Sequence, residues 1–315
     1  MCPDIRARGG LIILLPGTLW PRLLERTTHA IQCGALQSIA TESEIIEQDG
    51  IGFLVRIVSN LARKEQAKRD QDRQTTLSGG EFNPFLPYDE DLFVADISDT
   101  HVALLNKFNV VDHHLLIVTR AFEDQESLLT LDDFEALEIC LAEFEGLVFY
   151  NAGKIAGASQ RHKHLQIIPL PLAAVGPKVP IEPLLKSARF QRGVGTVPGL
   201  PFRHAVARIE LAWTESPLQT AQAMLECYRT MLEVVGLQGE AGATGIRQCG
   251  AYNLLVTREW MLLVPRSKES FESISVNAVG FAGAFLVRDE QQMRRLKDYG
   301  PVTILKHVAV SVNAG

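Results

Sequence analysis

The chain has 315 residues, enough to bury a large core in one domain or in two. Its hydrophobic content of 46% and its charged content of 22% are ordinary for a soluble globular protein. The formal net charge of −6 excludes an overall positive field, so we expect binding neither to nucleic acid nor to an anionic membrane.

The N-terminal residues contain an apolar run, Leu11 to Leu15, which Pro16 and Gly17 interrupt. The run is far too short to span a bilayer and no small-residue cleavage site follows it, so we interpret residues 1–17 as an N-terminal arm. The five cysteines are scattered and odd in number, which argues against a disulfide framework and for a reducing compartment. We therefore expect a cytoplasmic protein.

The first elements are indicated by local signals. Pro21 near a first turn and Cys33-Gly34 at the far end predict a helix. Residues 51–58, 92–97 and 114–119 are rich in β-branched and aliphatic side chains and predict strands.

The clearest helix begins at Thr130 or Leu131, where Asp132 and Asp133 place acidic side chains in the first turn. We expect this helix to lead directly to Asn151. Apolar residues recur at helical spacing and are predicted to lie in the core: Phe134, Leu137, Leu141, Phe144 and Val148.

The second half of the chain begins with a proline-rich connector that ends near residue 200 and sets a soft domain boundary. The sequence of the hairpin predicted beyond it is weakly similar to residues 114–120, as an internal duplication would produce, but the second half has no His-x-His pair. The elements predicted there are a strand at 202–209, a helix at 216–235, hairpin strands at 252–256 and 260–264, and a helix from Asp289 to Tyr299.

The strongest concentration of reactive side chains lies in residues 158–169. Side chains alternate across a strand, so His162, His164, Gln166 and Ile168 are expected to share one face. We call His162, His164 and Gln166 the histidine row.

Three interpretations of the histidine row compete. A structural metal site needs a third and usually a fourth ligand, and no Cys-x-x-Cys or closely spaced histidine accompanies the pair. Core histidines are common, but three successive polar groups on a core face would each need a partner. Nucleophilic catalysis uses an imidazole whose far nitrogen donates to a backbone carbonyl, which leaves the near nitrogen's lone pair free to attack phosphorus.

The segment Asn151-x-Gly153-x-x-Ala156-Gly157 followed by His-x-His-x-Gln resembles the histidine-triad (HIT) superfamily, in the variant of its nucleotidyltransferase branch. Within that branch the chain is similar to the diadenosine tetraphosphate (Ap4A) phosphorylases, also called ATP adenylyltransferases. The resemblance implies an α+β, HIT-like fold with a mostly antiparallel sheet flanked by helices and an elaborated C-terminal half. It also implies a catalytic region in residues 1–180 and an ATP adenylyltransferase region in residues 181–315 that completes the substrate site.

The resemblance implies that His164 is the nucleophile, that Gln166 holds phosphate oxygens and that His162 supports the reaction. No protein metal ligand is expected in the site. The candidates for substrate binding, taken from the loops and from the resemblance, are Asn60, Lys64, Asn83, Phe85, Tyr88, Asn106, Lys107, Asn151, Gly157, Ala158, Ser159, Gln160, Asn277 and Arg288.

The implied reaction is the phosphorolysis of Ap4A by phosphate to ADP and ATP through a covalent adenylyl-histidine. Mg²⁺ is expected to be carried by the substrate polyphosphate, since that ion prefers phosphates and water to a dedicated protein cage. We expect small-molecule partners (Ap4A, ADP, ATP and phosphate) and a monomer or small homo-oligomer. A related sugar-nucleotide phosphorylase, a uridylyltransferase and a dinucleoside-polyphosphate sensor without turnover are the alternatives.

Overall fold

The computed structural model describes residues 11–58, 83–191, 193–209, 216–242 and 245–312. Two short 3-10 helices span Glu90–Leu92 and Lys154–Ala156. The α-helices are α1 (Leu19–Cys33), α2 (Leu131–Glu143), α3 (Glu182–Leu185), α4 (Pro217–Val234), α5 (Ala278–Phe281), α6 (Glu290–Tyr299) and α7 (Pro301–Val308). The strands are β1 (Thr41–Gln48), β2 (Ile51–Val58), β3 (Phe93–Asp96), β4 (His101–Leu105), β5 (Leu115–Thr119), β6 (Gly146–Ala152), β7 (His164–Pro169), β8 (Arg189–Gln191), β9 (Val194–Thr196), β10 (Ala205–Arg208), β11 (Gly239–Gly242), β12 (Gly245–Gln248), β13 (Tyr252–Val256), β14 (Trp260–Pro265), β15 (Ser270–Phe271), β16 (Ile274–Ser275) and β17 (Ala284–Val287).

Ten strands form one antiparallel sheet in the order β3-β4-β5-β7-β6-β13-β14-β10-β9-β8. The first five strands in this order precede residue 180 and the last five follow it, and the two halves join where β6 pairs with β13. The predicted α+β architecture, with a mostly antiparallel sheet flanked by helices, is confirmed. The sheet is continuous across the predicted domain boundary, since both sides contribute strands to it.

Two layers cover the large sheet. On one face, α1, α2 and α4 bury their apolar sides against Ile117, Leu165 and Ile167. On the other face, β2, β17 and the C-terminal helices pack against Phe149 and Ile168. Leu165 and Ile168 therefore lie on opposite faces, as the alternation of a strand requires. Within the described ranges, no helix is long and apolar enough to cross a membrane.

Helix α2 is capped as its sequence predicts, because Thr130 and Asp133 form a capping box. The predicted continuation of the helix to Val148 is wrong. Phe144 has an extended backbone, with φ −153° and ψ 158°, and Val148 lies in β6. Every residue of β6 is buried. A strand that is buried on both faces has a continuous run of apolar residues. Val148 in this run happens to lie four residues after Phe144, so it fits the spacing of a helix. Asn151 therefore lies in strand β6 and does not directly follow the helix.

Candidate active site

Strand β7 carries the histidine row into the first half of the large sheet, between β5 and β6. His164 pairs with Val118, and Gln166 pairs with Leu116. The strand begins at His164, and His162 is held just before it by a single bridge to Asp124.

His164 is fixed in one tautomer. Its Nδ1 donates a hydrogen bond to the carbonyl of His162 at 2.8 Å, and its backbone N–H donates to Oε1 of Gln125 at 2.8 Å. Burial lowers the pKa of His164 from 6.5 to about 4, so the ring is neutral near pH 7. No residue in the described part of the chain forms a hydrogen bond with Nε2, whose lone pair is the one that the tautomer leaves free. This is the arrangement that a nitrogen nucleophile needs.

Phe85 covers both imidazoles of the row. Its ring centroid lies 5.3 Å from that of His164 and 5.6 Å from that of His162, and its side chain is buried. Asn83 fixes the loop, since its Oδ1 accepts the backbone N–H of Phe85 at 3.0 Å. The loop of Asn83 and Phe85, which was predicted to bind substrate, thus supplies an apolar wall beside His164 that limits its contact with water.

His162 has both ring nitrogens engaged. Nε2 donates to the carbonyl of Thr119 at 2.7 Å, and Nδ1 accepts from the side-chain amide of Asn83 at 2.9 Å. Burial lowers the pKa of His162 as well. Because neither nitrogen has a free lone pair, His162 serves the site through the carbonyl that orients His164.

Gln166 is oriented by two side chains from neighbouring strand ends. The side-chain amide of Asn106 donates to Nδ1 of His114 at 3.1 Å, so the proton of that ring is on Nε2, which donates to Oε1 of Gln166 at 3.0 Å. Desolvation lowers the pKa of His114 to about 4, which keeps this ring neutral. With its oxygen occupied, Gln166 is left with its amide N–H groups to offer a ligand. Asn106 thus acts on the row through His114, which was not predicted as a site residue.

The side chain of Asn151 is held by residues of the second half of the chain. Its Oδ1 accepts from Nδ2 of Asn253 at 2.9 Å and from the backbone N–H of Ala278 at 2.9 Å. Arg266, itself buried, donates to Oδ1 of Asn253 at 2.6 Å and to the carbonyl of Ala156 at 3.2 Å. The predicted Asn151 is therefore held by Asn253 and Arg266, two residues that sequence reasoning missed.

The turn that follows β6 is closed by the C-terminal half. Gly157 has φ +93°, and a Cβ there would lie 3.0 Å from the carbonyl oxygen of Val276 and 3.1 Å from the Cα of Asn277. Asn277 is exposed and caps α5 by accepting the N–H of Val279 at 3.1 Å. Glycine is required at 157 both by its backbone conformation and by this close approach.

The residues between the turn and His162 were also predicted to bind substrate. Ala158 donates its backbone N–H to the carbonyl of Gly153 at 3.1 Å, which uses one of the amides available for a phosphate. Ser159 is exposed, and Gln160 is half-buried.

The remaining candidates in the described part of the chain have partners other than the row. Tyr88 stacks on Phe93 with centroids 5.8 Å apart, and Lys107 pairs with Asp89 at 3.8 Å. Arg288 is exposed and follows β17 in the separate three-stranded sheet. Asn60 and Lys64 lie outside the described residues.

An ionic network centred on the buried Lys163 and Asp133 lies on the opposite side of β7 from the row. The Lys163 ammonium lies 2.6 Å from Oδ2 of Asp133 and 3.0 Å from Oε2 of Glu123, and His101 contacts the other oxygen of Asp133 at 3.1 Å. Burial alone would raise the pKa of Asp133, but Lys163 and His101 outweigh it and hold this pKa well below its usual range. The charge of Lys163 is compensated by Asp133 in the first turn of α2.

Gln125 is a further residue that sequence reasoning missed. It is buried, and its amide nitrogen donates to the carbonyls of Asn151 at 2.9 Å and His164 at 3.1 Å. With the bond from the His164 N–H, it binds both backbone groups of the candidate nucleophile. Gln125 lies in a loop, and no spacing in the sequence marks it.

The HIT-like fold, the free Nε2 of a neutral His164 and the oriented amide of Gln166 define a nucleotidyltransferase of the histidine-triad type. Comparison with protein families gives a finer assignment. The Ap4A phosphorylase N-terminal domain matches residues 11–187, and the ATP adenylyltransferase C-terminal domain matches residues 198–311. The chain belongs to the Ap4A phosphorylase family.

Characterised relatives resemble the chain over nearly its full length. Diadenosine 5′,5′′′-P1,P4-tetraphosphate phosphorylase 2 of Saccharomyces cerevisiae is 27% identical over 308 residues, which cover 90% of this chain and 92% of that protein. The crystal structure of yeast Ap4A phosphorylase Apa2 superposes with a TM-score of 0.76 at 25% identity, covering 96% of this chain and 97% of that one. The complex of that enzyme with Ap4A has the same fold, with a TM-score of 0.71 at 23% identity and coverage of 95% and 99%.

Proposed function

We propose that this protein phosphorolyses Ap4A, so that Ap4A and inorganic phosphate yield ADP and ATP through an adenylyl group carried on His164. The observation that carries this proposal is the locked tautomer of His164, whose Nδ1 donates to the His162 carbonyl at 2.8 Å while Nε2 stays free. The similarity to yeast Ap4A phosphorylase over nearly the whole chain supports the choice of substrate.

In the first step, Nε2 of His164 attacks the α-phosphorus of one adenosine. The P–N bond forms as the bond from that phosphorus to the bridging oxygen breaks, and ATP leaves with the bridging oxygen. Negative charge grows on the nonbridging oxygens in the transition state, so fixed donors there lower the barrier. We assign this role to the amide of Gln166, whose oxygen is occupied by His114 at 3.0 Å.

In the second step, an oxygen of inorganic phosphate attacks the same phosphorus and breaks the P–N bond. ADP leaves, and His164 returns to its neutral form. Gln166 has no titratable proton with which to activate water, which favours an acceptor that is already anionic.

Substrate binding by the loops is also part of the proposal. We assign the adenine contact to the aromatic side chains Phe85 and Tyr88, and polyphosphate contacts to the cations Lys64 and Lys107 with Asn60. Residues 181–315 would complete the site through Asn277, which lies against Gly157, and through Arg288.

Mg²⁺ is proposed to arrive with the polyphosphate, whose charge it would partly neutralise. Three carboxylates of the loop that bridges to His162 are already paired with protein cations: Glu123 with Lys163, Asp124 with Arg161 and Glu126 with Arg247. The row itself offers imidazole and amide groups, whereas Mg²⁺ prefers carboxylate, phosphate and water oxygens. A reducing, cytoplasmic setting is also proposed, in keeping with the unpaired thiols of the described cysteines.

Incubation with Ap4A and phosphate tests the proposal, with quantification of nucleotides over time. We expect ADP and ATP in equal amounts. With Ap4A alone, we expect an adenylyl group on the peptide that contains His164, and we expect His164→Gly to abolish both results.

Other products would identify another activity. AMP and ATP formed without uptake of phosphate would indicate a hydrolase, and binding of Ap4A without turnover would indicate a sensor. Either result would overturn the proposal.

A further inference from the structure

Away from the histidine row, three side chains of metal-binding type meet at the surface. His29 and Cys33 lie one turn apart on α1, and Asp91 lies in the 3-10 helix Glu90–Leu92. One ligand atom from each residue lies within 4.8 Å of the other two. Residues four apart on a helix project from the same face, so the spacing of His29 and Cys33 presents both ligands together.

The surrounding structure holds the three residues near one another. Leu23 and Thr27 of α1 and Leu92 of the 3-10 helix are buried, which fixes both backbones on the fold. The backbone N–H of Asp91 donates to Oδ1 of Asp89 at 3.1 Å, and Oδ1 of Asp91 lies 2.8 Å from Nε2 of His29. The packing of the two helices and these hydrogen bonds therefore hold the three side chains together.

The chemistry of the three groups favours a borderline-soft ion. Zn²⁺ binds thiolate, imidazole and carboxylate, whereas Mg²⁺ and Ca²⁺ select oxygen ligands. Tetrahedral zinc with bonds of about 2.0–2.3 Å would place its ligand atoms roughly 3.3–3.8 Å apart. The observed separations, between 2.8 Å and 4.8 Å, require only small side-chain adjustments.

Charge and access also favour a cation. Asp89, Glu90 and Asp91 are consecutive and exposed. Lys107 pairs with Asp89 at 3.8 Å and Arg26 lies one turn before His29 on α1, so the carboxylates outnumber these two cations. The side chains of His29 and Asp91 are 46% and 52% exposed, so an ion reaches them directly from solvent. Negative potential at an accessible site raises the local concentration of divalent cations.

We propose that His29, Cys33 and Asp91 form a surface site for Zn²⁺, with water completing the tetrahedron. On binding, the Cys33 thiol loses its proton to solvent, and a sulfur–zinc bond replaces the present contact of Sγ with the carbonyl of Ala30 at 3.6 Å. The hydrogen bond between His29 and Asp91 at 2.8 Å also breaks, and the ligating nitrogen of His29 gives up any proton it carries to the other ring nitrogen or to solvent. The ion would tie α1 to the segment that directly follows the loop carrying Phe85. The inference does not depend on the activity proposed above.

Cobalt titration tests the site, because thiolate ligation gives Co²⁺ an intense near-ultraviolet charge-transfer band. The full chain is stripped with a chelator and titrated with Co²⁺ without oxygen or thiol reductants. We expect one equivalent to produce the band, Zn²⁺ to displace it, and Cys33→Ser to abolish it. His29→Ala and Asp91→Asn should each weaken binding by about tenfold or more, since a three-ligand site loses one ligand.

Cys249→Ser is the matched control, because Cys249 is the other exposed cysteine in the described part of the chain. This variant should keep the band, and Zn²⁺ should raise the melting temperature of the wild type and of this control but not of Cys33→Ser. A band that survives in Cys33→Ser, a band lost in Cys249→Ser, or no thiolate band in the wild type would overturn the proposal.

Discussion

Two buried histidines, one before the start of β10 and one at the start of β7, make the same backbone contact. Nδ1 of His164 donates to the carbonyl of His162 at 2.8 Å, and Nδ1 of His204 donates to the carbonyl of Phe202 at 2.7 Å. In both cases the acceptor lies two residues earlier. Burial lowers the pKa of both imidazoles, so both are neutral near pH 7.

The two rings differ at Nε2. That atom of His204 accepts the backbone N–H of Val197 at 2.8 Å, whereas that of His164 has no partner among the described residues. Gln166 also stands beside His164 with its amide oriented by His114. Burial therefore makes both histidines neutral, and the hydrogen bond of Nδ1 fixes the tautomer of each. Only an unoccupied Nε2 next to fixed donors makes a histidine a candidate nucleophile.

The largest expected effect separates these two histidines. His164→Ala should lower kcat for phosphorolysis by a factor on the order of 10⁴ or more, because the covalent route is lost. His204→Ala should keep kcat within about threefold while lowering the free energy of unfolding by about 1–3 kcal/mol, since the buried N–H of Val197 loses its acceptor. Steady-state kinetics and urea unfolding of both variants measure this contrast, and comparable losses of kcat would remove the distinction.

A second prediction concerns the support behind His164. Asp133→Asn leaves the ammonium of Lys163 buried with Glu123 as its remaining carboxylate, and should lower the free energy of unfolding by about 3–5 kcal/mol. Glu123→Gln is the control: its side chain is 45% exposed, so we expect a cost of about 1 kcal/mol or less. Urea denaturation of the two variants checks the order. Equal losses of unfolding free energy in the two variants would show that the strength of these ion pairs does not depend on burial.

The amide clamp predicts a smaller effect on catalysis. Gln166→Ala should reduce kcat by about 10²-fold through the loss of one transition-state donor. His114→Ala should reduce kcat by about tenfold, because Gln166 keeps its amide but loses its fixed orientation. In the double variant, the His114 change should add little to the loss from Gln166→Ala. Single-turnover rates test this, and fully multiplicative losses would contradict the relay.

The smallest expected effect concerns pH: the rate of adenylylation should not change in the range where a free imidazole titrates. The pKa of His164 is lowered from 6.5 to about 4, so adenylylation should stay constant below pH 6.5 and decline only as pH falls through about 4. The contribution of neutral His164 to the free energy of unfolding should be complete above pH 6.5 and lost as pH falls from 6.5 towards about 4. In this range the histidine of the unfolded chain is protonated while that of the folded protein is still neutral, so protonation favours the unfolded chain. Single-turnover rates and ¹⁵N NMR of the ring measure these changes. A midpoint near 6.5 would show that His164 is not desolvated.

Local signals in the sequence predicted much of the fold. Strand β2, the capped start of α2 and the helix that follows Asp289 were all correctly predicted, because residues close in sequence determine them. Val148 was misplaced for the same reason, since apolar spacing alone does not distinguish a buried strand from a helix. Strands β1 and β17 were not predicted.

The missed site residues depend on contacts between distant parts of the chain. His114 lies 52 positions from Gln166, Gln125 lies 39 from His164, and Asn253 lies 102 from Asn151. No pattern within a short stretch of sequence indicates that two residues so far apart will form a hydrogen bond. The histidine row was recognisable because its chemistry lies within five consecutive residues, whereas the residues that orient it come together only when the sheet forms.

The junction of β6 with β13 has a consequence for experiments with parts of this protein. Along one edge, the backbone of each strand forms its hydrogen bonds with the other strand, in pairs from Val148↔Val256 to Ala152↔Tyr252. Cutting the chain between the two family domains would turn both into exposed, apolar sheet edges, which are templates for aggregation. Co-expression of the two fragments is therefore the route by which separately encoded halves would remain in solution, each acting as the folding partner of the other.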